Sequence, residues 1–536
     1  MKKGSLDFVL VGAAAAVGLA LLLVGLFVPF GPEEGRMVAE SGPGGVVNWL
    51  FIGFGVAGLG ASIVLLLLAL RRRRQVADPD HPARHHLVES FLKRPEPLKP
   101  GIYHLRSGDA MEGYRVHLRI EPNGNGTLVV NAAKIIHLNQ TAAEYAKLIV
   151  EERTPRDAVR EITARYNVPK KIALADYREI QGIITELARG GDVCPVTYLD
   201  LDRYEPFSVE TFAPYRVDLV LTYACNADCG HCYVAPERRN KPSLVKEDWR
   251  RVMEKLWAVG VPHVTFTGGE ATLYPHLREL IEYAEDIGLV TGLLTNGRKL
   301  ADKDYLAGLV EVGLDHAQIT LESCDEAVHD AMVGAPGAWR ETVQGIKNAL
   351  AQPLYVLTNT TITRRNADHV RRTVEFLADL GLSQVAANGM IHSGKGKGNP
   401  DALTEAELAP YVEEFFNAAV SRGLNFLWYT PTRYEELNPL ELGVGIKTCS
   451  AARYNLAVEP DGDVLPCQSY FEVMGNILTD DWAKIWNSPL AVSLRNREWV
   501  PDECRGCAEF PLCGGGCPLY AKEGEYQCLD SQNTAG

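Results

Sequence analysis

Positive charge is not in excess here. Acidic residues outnumber basic ones 68 to 54, a formal net charge of −14, and this balance excludes a general nucleic-acid binder, whose work is to neutralise phosphates. Compositional bias is missing too. With 46% hydrophobic and 23% charged residues, disordered, collagen-like and low-complexity classes are ruled out. No single core suffices for 536 residues, and a count of about three or four folding units is expected. Cysteine is sparse, at twelve in the whole chain, and unevenly placed: Cys225, Cys229 and Cys232 cluster mid-chain, and seven more fall from Cys449 to Cys528.

Long uncharged runs are present only near the start. Residues 8–30 and 46–70 carry no charge over 23 and 25 positions, each enough to cross a bilayer as a helix of about 20 residues. The first run is too long for a signal-peptide core, and a second span follows it. Lys2 and Lys3 precede the first run and four arginines at 71–74 follow the second. By the positive-inside rule, both chain ends then face the cytoplasm. The expectation is a two-helix anchor over 1–74, a cell-membrane location and cytoplasmic catalytic domains, where thiols stay reduced and clustered cysteines point to metal.

After a polar linker at 75–100, a unit over 101–195 is expected. Residues 115–122 alternate as a strand, Asn123-Gly-Asn-Gly126 turns the chain, and 127–138 returns as the second arm of a hairpin. Asn139 is placed to cap a helix over 141–152, Thr154 with Pro155 opens another to about 166, and 172–189 supplies a third. Two strands and three helices make a small winged-helix-like α+β unit. The phrase Ile136-His-Leu-Asn-Gln-Thr-Ala-Ala-Glu144, followed by a Thr-Pro-initiated helix, resembles the PqqD-like peptide-recognition domain. That resemblance implies capture of a leader peptide as an added strand. The alternative is a spacer that holds the enzyme off the membrane.

A buried-type strand at 216–223 runs into Cys225-Asn-Ala-Asp-Cys229-Gly-His-Cys232-Tyr233, a C-x3-C-x2-C spacing. Three thiolates can hold three irons of a 4Fe-4S cubane and leave the fourth iron without a protein ligand. A structural zinc site wants four closed ligands. The spacing resembles the radical S-adenosylmethionine (SAM) superfamily, with His231 in the place of the usual aromatic. The resemblance implies that the open iron chelates SAM and that an electron from the cluster cleaves it to a 5′-deoxyadenosyl radical. Further strands at 263–267, 289–295, 316–322, 355–363 and 384–390 alternate with helical stretches. Six βα units form a partial (β/α)6 barrel over 213–430, with its site at the C-terminal strand ends. Gly268-Gly269-Glu270 at the second strand end matches the family's GGE motif for the SAM amino group. His231, Tyr233, Gly268, Gly269, Glu270, Asn296 and Thr320 are the SAM-binding candidates implied by the resemblance. The family's Ser-Leu-Asp-Gly reads Thr320-Leu-Glu-Ser323 here. Arg364 and Arg365 are open between meeting the SAM carboxylate and simple solvation.

In the tail, Cys449, Cys467, Cys504, Cys507, Cys513, Cys517 and Cys528 lie within 80 residues, a density that calls for metal cross-links in a reducing compartment. Zinc is the alternative to iron-sulfur. The spacing resembles the SPASM domain appended to radical SAM enzymes that act on peptides and proteins, here over 440–536. By that resemblance Cys449, Cys467 and Cys517 bind one auxiliary iron-sulfur cluster, without a visible fourth cysteine, and Cys504, Cys507, Cys513 and Cys528 bind a second. Sulfatase-maturing relatives carry an acid directly after the second of these cysteines. This chain has Gln468, which disfavours formylglycine formation.

The reading is an α/β enzyme, anchored in the membrane by two helices, that cleaves SAM reductively and modifies a peptide or protein, most naturally a ribosomally made precursor. Its catalytic set is Cys225, Cys229 and Cys232. Its partners are the precursor peptide, an electron donor such as flavodoxin or ferredoxin and the membrane; nucleic acid is not among them. Two rival readings are radical chemistry on a membrane lipid or hydrophobic small molecule, and a non-catalytic iron-sulfur electron carrier or peptide-binding adaptor.

Overall fold

The structure, a computed structural model, describes residues 95–107, 114–132, 134–188 and 209–521. The two apolar runs at 8–30 and 46–70 lie outside these residues, as do Cys194 and Cys528. Among the described residues, no helix is long and apolar enough to cross a membrane.

The N-terminal unit is built on four antiparallel strands in sequential order, β1 (Gly101–Ser107), β2 (Tyr114–Ile120), β3 (Gly126–Val130) and β4 (Lys134–Leu138). Two corrections to the expected hairpin follow. The strand β1 pairs along the whole of β2. The expected return at 127–138 breaks into β3 and β4 at Asn131 and Ala132, whose φ angles are 51° and 54°. Asparagine tolerates that left-handed geometry, and Asn131 Oδ1 holds the turn by accepting from Arg115 N at 2.8 Å. Three helices follow, α1 (Gln140–Val150), α2 (Pro155–Arg165) and α3 (Lys170–Ala188). Asn139 caps α1 by accepting from Ala142 N, and Thr154 caps α2 ahead of Pro155 at the first helical position.

Alternation along β2 sorts its two faces. Val116, Leu118 and Ile120 pack with the helices in one core, while Arg115, His117 and Arg119 turn the other way. There Arg115 donates to Leu289 O at 2.9 Å, His117 Nε2 lies 2.7 Å from Gly288 O and Arg119 donates to Pro214 O at 3.1 Å. This polar face seats the unit on the N-terminal ends of the following barrel strands. Burial holds His117 as a neutral imidazole, its pKa pulled down to about 4.

Among the described residues, the large sheet has ten strands. Strands β5 (Arg216–Thr222), β6 (His263–Gly268), β7 (Val290–Thr295), β8 (His316–Thr320), β9 (Tyr355–Ile362) and β10 (Gln384–Gly389) are the six expected parallel strands. A seventh, β11 (Asn425–Trp428), adds in parallel beside β10, and β12 (Asn455–Val458) adds in parallel beside β5. The expected six-strand barrel is thus extended at both edges. Val217, Leu219 and Leu221 face the outer helices in the main core, together with the fully buried Trp249 and Phe266. The opposite faces of these strands line the barrel's interior. The short strands β13 (Asp463–Leu465) and β14 (Gly475–Asn476) continue the sheet antiparallel from β12.

Candidate active site

The cysteine motif leaves β5 at its C-terminal end and is gripped from the next strand. A Cβ on Gly268 would stand 2.2 Å from Thr222 O, and one on Gly269 would stand 2.4 Å from Tyr223 O. Any side chain there would clash with backbone. Gly269 N donates to Thr222 O and Glu270 N to Ala224 O, at 2.8 and 2.9 Å. These glycines therefore admit the approach of the β5 backbone, which aims the motif, in addition to any approach by a ligand.

Glu270 is 1% exposed, and its carboxylate is a local hub. It accepts from Thr272 N and Oγ1, from Thr295 Oγ1 and from Asn296 N, over 2.7 to 3.1 Å. Its side chain thus holds the ends of β6 and β7 in register, a role its sequence position alone does not disclose. Asn296 passes the constraint on, donating from Nδ2 to Asn226 Oδ1 inside the cysteine motif at 2.7 Å.

His231 and Glu322 form a second hub. His231 Nε2 is 2.9 Å from Glu322 Oε1, and the glutamate is completely buried. Burial alone would pull the imidazole down, but the charge and hydrogen bond of Glu322 outweigh it and hold its pKa above the ordinary value. Glu322 Oε2 accepts from Thr361 N at 2.8 Å. Glu322, in the departure Thr320-Leu-Glu-Ser323 from the family pattern, is therefore the partner of His231 inside the cysteine motif. Tyr233 continues the chain of contacts, its hydroxyl donating to Gln468 Oε1 at 3.3 Å.

One cavity of about 640 Å³ unites these groups. Its wall includes Cys225, Cys229 and Cys232, together with Gly268, Gly269, Glu270, Asn296 and Thr320. Cys449, Cys467 and Cys517 line the same cavity. The route that brings them there is β12, whose pairing with β5 sets the tail against the cysteine motif; Val220, Tyr223, Val234, Ala457 and Leu465 form the small core between them. Burial pushes all three thiols of the first set upward, and those of Cys449, Cys467 and Cys517 up to about 12. Grouped thiols of this kind are a donor set on which iron displaces protons. Of the other four tail cysteines, Cys504 and Cys513 are buried and Cys507 is exposed.

Other candidates lie elsewhere. Arg364 donates to both oxygens of Glu407 and Arg365 pairs with Asp401; neither arginine lines the cavity, and Arg365 lies near enough to His231 to oppose its positive charge. Cys324 does not line the cavity; its backbone N–H donates to Thr373 Oγ1. Among the described residues, Glu459, Asp461 and Asp463 converge as a compact acidic group. Lys241 Nζ already lies 2.8 and 2.7 Å from the first two.

Residues 219–377 match the family model of the radical SAM superfamily, and residues 449–508 match that of SPASM, an iron-sulfur cluster-binding domain. A PqqA peptide cyclase of Bradyrhizobium diazoefficiens is 28% identical over 329 residues, covering 59% of this chain and 84% of the relative. Streptococcus suis SuiB bound to precursor peptide SuiA is similar in fold, with a TM-score of 0.55 at 16% identity over 81% of this chain and 98% of that chain. SuiB bound to S-adenosylmethionine gives 0.52 at 16% identity over 78% and 95%. The chain carries a radical SAM domain followed by a SPASM domain. It is a radical SAM enzyme, with a 4Fe-4S cluster and SAM as cofactors and auxiliary iron-sulfur clusters in the tail.

Proposed function

We propose that this enzyme modifies a ribosomally made precursor peptide from the cytoplasmic side of a membrane. The observation that carries the reading is the shared cavity: the cysteine motif and three tail cysteines face one space of about 640 Å³, within the range of pockets that enclose ligands. The similarity to a PqqA peptide cyclase supports a peptide over a lipid as the substrate. On this reading Cys225, Cys229 and Cys232 hold the reactive cluster. With SAM bound, the group they hold would supply radical chemistry toward a substrate C–H bond.

The protein's own part is positioning and exclusion of water. Glu270 fixes Thr295 and Asn296, and Glu322 fixes His231. The wall that meets the substrate is thus rigid before anything binds. Gln468 offers the cavity an amide and no proton acceptor, which argues against formylglycine chemistry. Four further assignments belong to the proposal. The sheet and helices over 101–188 act as a PqqD-like leader-recognition unit, residues 8–30 and 46–70 anchor the chain, flavodoxin or ferredoxin delivers the electron, and Cys504, Cys507, Cys513 and Cys528 hold the second auxiliary cluster.

The test is anaerobic incubation of the reconstituted full chain with SAM, a reductant and the small peptides encoded beside its gene. A mass change in one peptide, with stoichiometric 5′-deoxyadenosine, is expected. SAM cleavage without change in any such peptide, together with change in a membrane lipid, would favour the lipid reading.

A further inference from the structure

The cavity has two ends of unlike chemistry. At the cysteine end the acidic groups have close neighbours, Glu270 four donors and Glu322 the Thr361 N–H and the nearby His231. The other end lies at the N-terminal ends of the barrel strands, where Tyr215, Arg216, His263 and Tyr454 contribute lining and Val129 and Ala132 of the N-terminal sheet close the floor; Lys447, two residues before Cys449, lines the same cavity near enough to Arg216 for their charges to interact. Arg216 opens β5, and its register partners are His263 on β6 and Asn455 on β12.

This floor carries two cations, and its buried acceptors are Asp218 and Asn455, whose side-chain oxygens make no hydrogen bond. Arg216 turns Nε toward Asp218 Oδ1 at 3.2 Å, and its side chain is 42% exposed. Among the described residues, no acceptor is recorded for its terminal nitrogens. Lys447 Nζ stands 5.3 Å from the centre of the Tyr429 ring and makes no ion pair among the described residues. His263 is 8% exposed, and its Nε2 has no hydrogen-bond partner. Among the described residues, Asp218, 0% exposed, is the acid that pairs with Arg216. Two cations and an unpartnered imidazole nitrogen therefore face a space large enough for a ligand, with the Asp218 carboxylate beside Arg216. Cations enclosed in this way are stable partners for an anion, and a planar guanidinium suits a carboxylate above all.

We propose that the floor of the cavity is a carboxylate-binding subsite, in which Arg216 and Lys447 hold an acidic group of the substrate peptide while another residue of that peptide lies at the cysteine end. The inference rests on the peptide reading above and adds a sequence requirement to it. SAM's own carboxylate does not meet the description, because the floor and the cysteine end are separated by the length of β5, about 20 Å at the extended rise per residue. An extended peptide covers that span in about six residues. The acidic group therefore stands about six positions from the residue that reacts.

The acid can be a side chain or the peptide's C-terminus, and three synthetic probes separate these: Ac-Gly-Ala-Ala-Ala-Ala-Glu-NH2, its Gln counterpart, and the same backbone ending in a free alanine carboxylate. Binding to reconstituted, SAM-saturated full chain is read by calorimetry. At least one acidic probe is expected to bind about ten-fold tighter than the Gln amide, a difference of about 1.4 kcal/mol. Selective binding of the Glu amide assigns a side chain, and selective binding of the free acid assigns the terminus. The advantage should vanish in Arg216→Gln, shrink in Lys447→Gln and return in Lys447→Arg. Equal affinity of all three probes for the wild-type chain overturns the proposal without recourse to any variant. So does an advantage that survives both glutamine substitutions at matched iron content. A chain that modifies its peptide yet shows no acid selectivity loses this inference alone. A chain that selects acids yet modifies no peptide loses the function proposed above.

Discussion

The two ends of one barrel solve opposite problems with the same residue types. At the C-terminal strand ends each buried carboxylate is placed among donors: Glu270 among four, Glu322 between His231 and Thr361. On the floor Arg216 has Asp218 alone as a partner, Lys447 has no ion pair among the described residues, and His263 Nε2 is unpartnered. A carboxylate held by several donors is fixed in place, whereas unpaired buried polar groups carry a standing cost. The difference teaches that the cysteine end is organised before its cofactor arrives, while the floor is organised for something that comes and goes.

The largest expected effect breaks the cysteine end. Cys229→Ala should lower reductive SAM cleavage by at least about a thousand-fold, since one of three thiolate ligands is lost; 5′-deoxyadenosine output measures it. Next comes Glu270→Ala, which strands several donors in a buried place and should cost about 2–4 kcal/mol, read by chemical denaturation. Glu270→Gln keeps acceptor and shape, so it should cost less. If both variants were as stable as the parent, the contrast between the two ends would collapse.

The seam between the N-terminal sheet and the barrel responds to acid. His117 is held neutral with its pKa at about 4, chiefly by burial, with His104 and Arg115 adding to the depression. The unfolded imidazole titrates near ~6.5, so between about pH 6.5 and 4 the unfolded chain takes up a proton that the folded chain refuses. The stability present above that window is lost as pH falls through it, by roughly 3 kcal/mol for this one group. His117→Gln should flatten the decline, as followed by thermal unfolding across that range. The smallest effect is expected from Arg365→Ala. Because its ion pair with Asp401 is exposed, the KM for SAM should stay within about two-fold of the parent value. A larger rise would return the arginine to the cofactor.

Much of this was legible in the chain itself, for local reasons. Cysteine spacing announces clusters because a cubane imposes fixed ligand separations. The caps at Asn139 and Thr154 and the parallel strands β5–β10 follow from short-range pattern. The addition of β11 and β12 at the two sheet edges was not legible, because pairing across the whole barrel sequence leaves no local mark. The pairing of His231 with Glu322 was equally hidden: the two belong to separate motifs, and only the fold brings them together. Lys447 and Arg216 were passed over because a single Lys or Arg is ordinarily solvated, and their convergence depends on a cavity no periodicity reports.

The parallel seat of β12 beside β5 also bears on how the enzyme is made. Arg216 emerges from the ribosome early and its register partner Asn455 late, with the rest of the barrel sequence between them. At about 5–20 residues per second, some tens of seconds pass before the partner exists. Through that interval one edge of β5 offers unpaired backbone to any other nascent strand, and the cavity that needs both cysteine sets is incomplete. The auxiliary cysteine set, of which Cys467 and Cys517 follow β12, is complete only late, and a ribosome stalled before β12 would release a chain prone to aggregate.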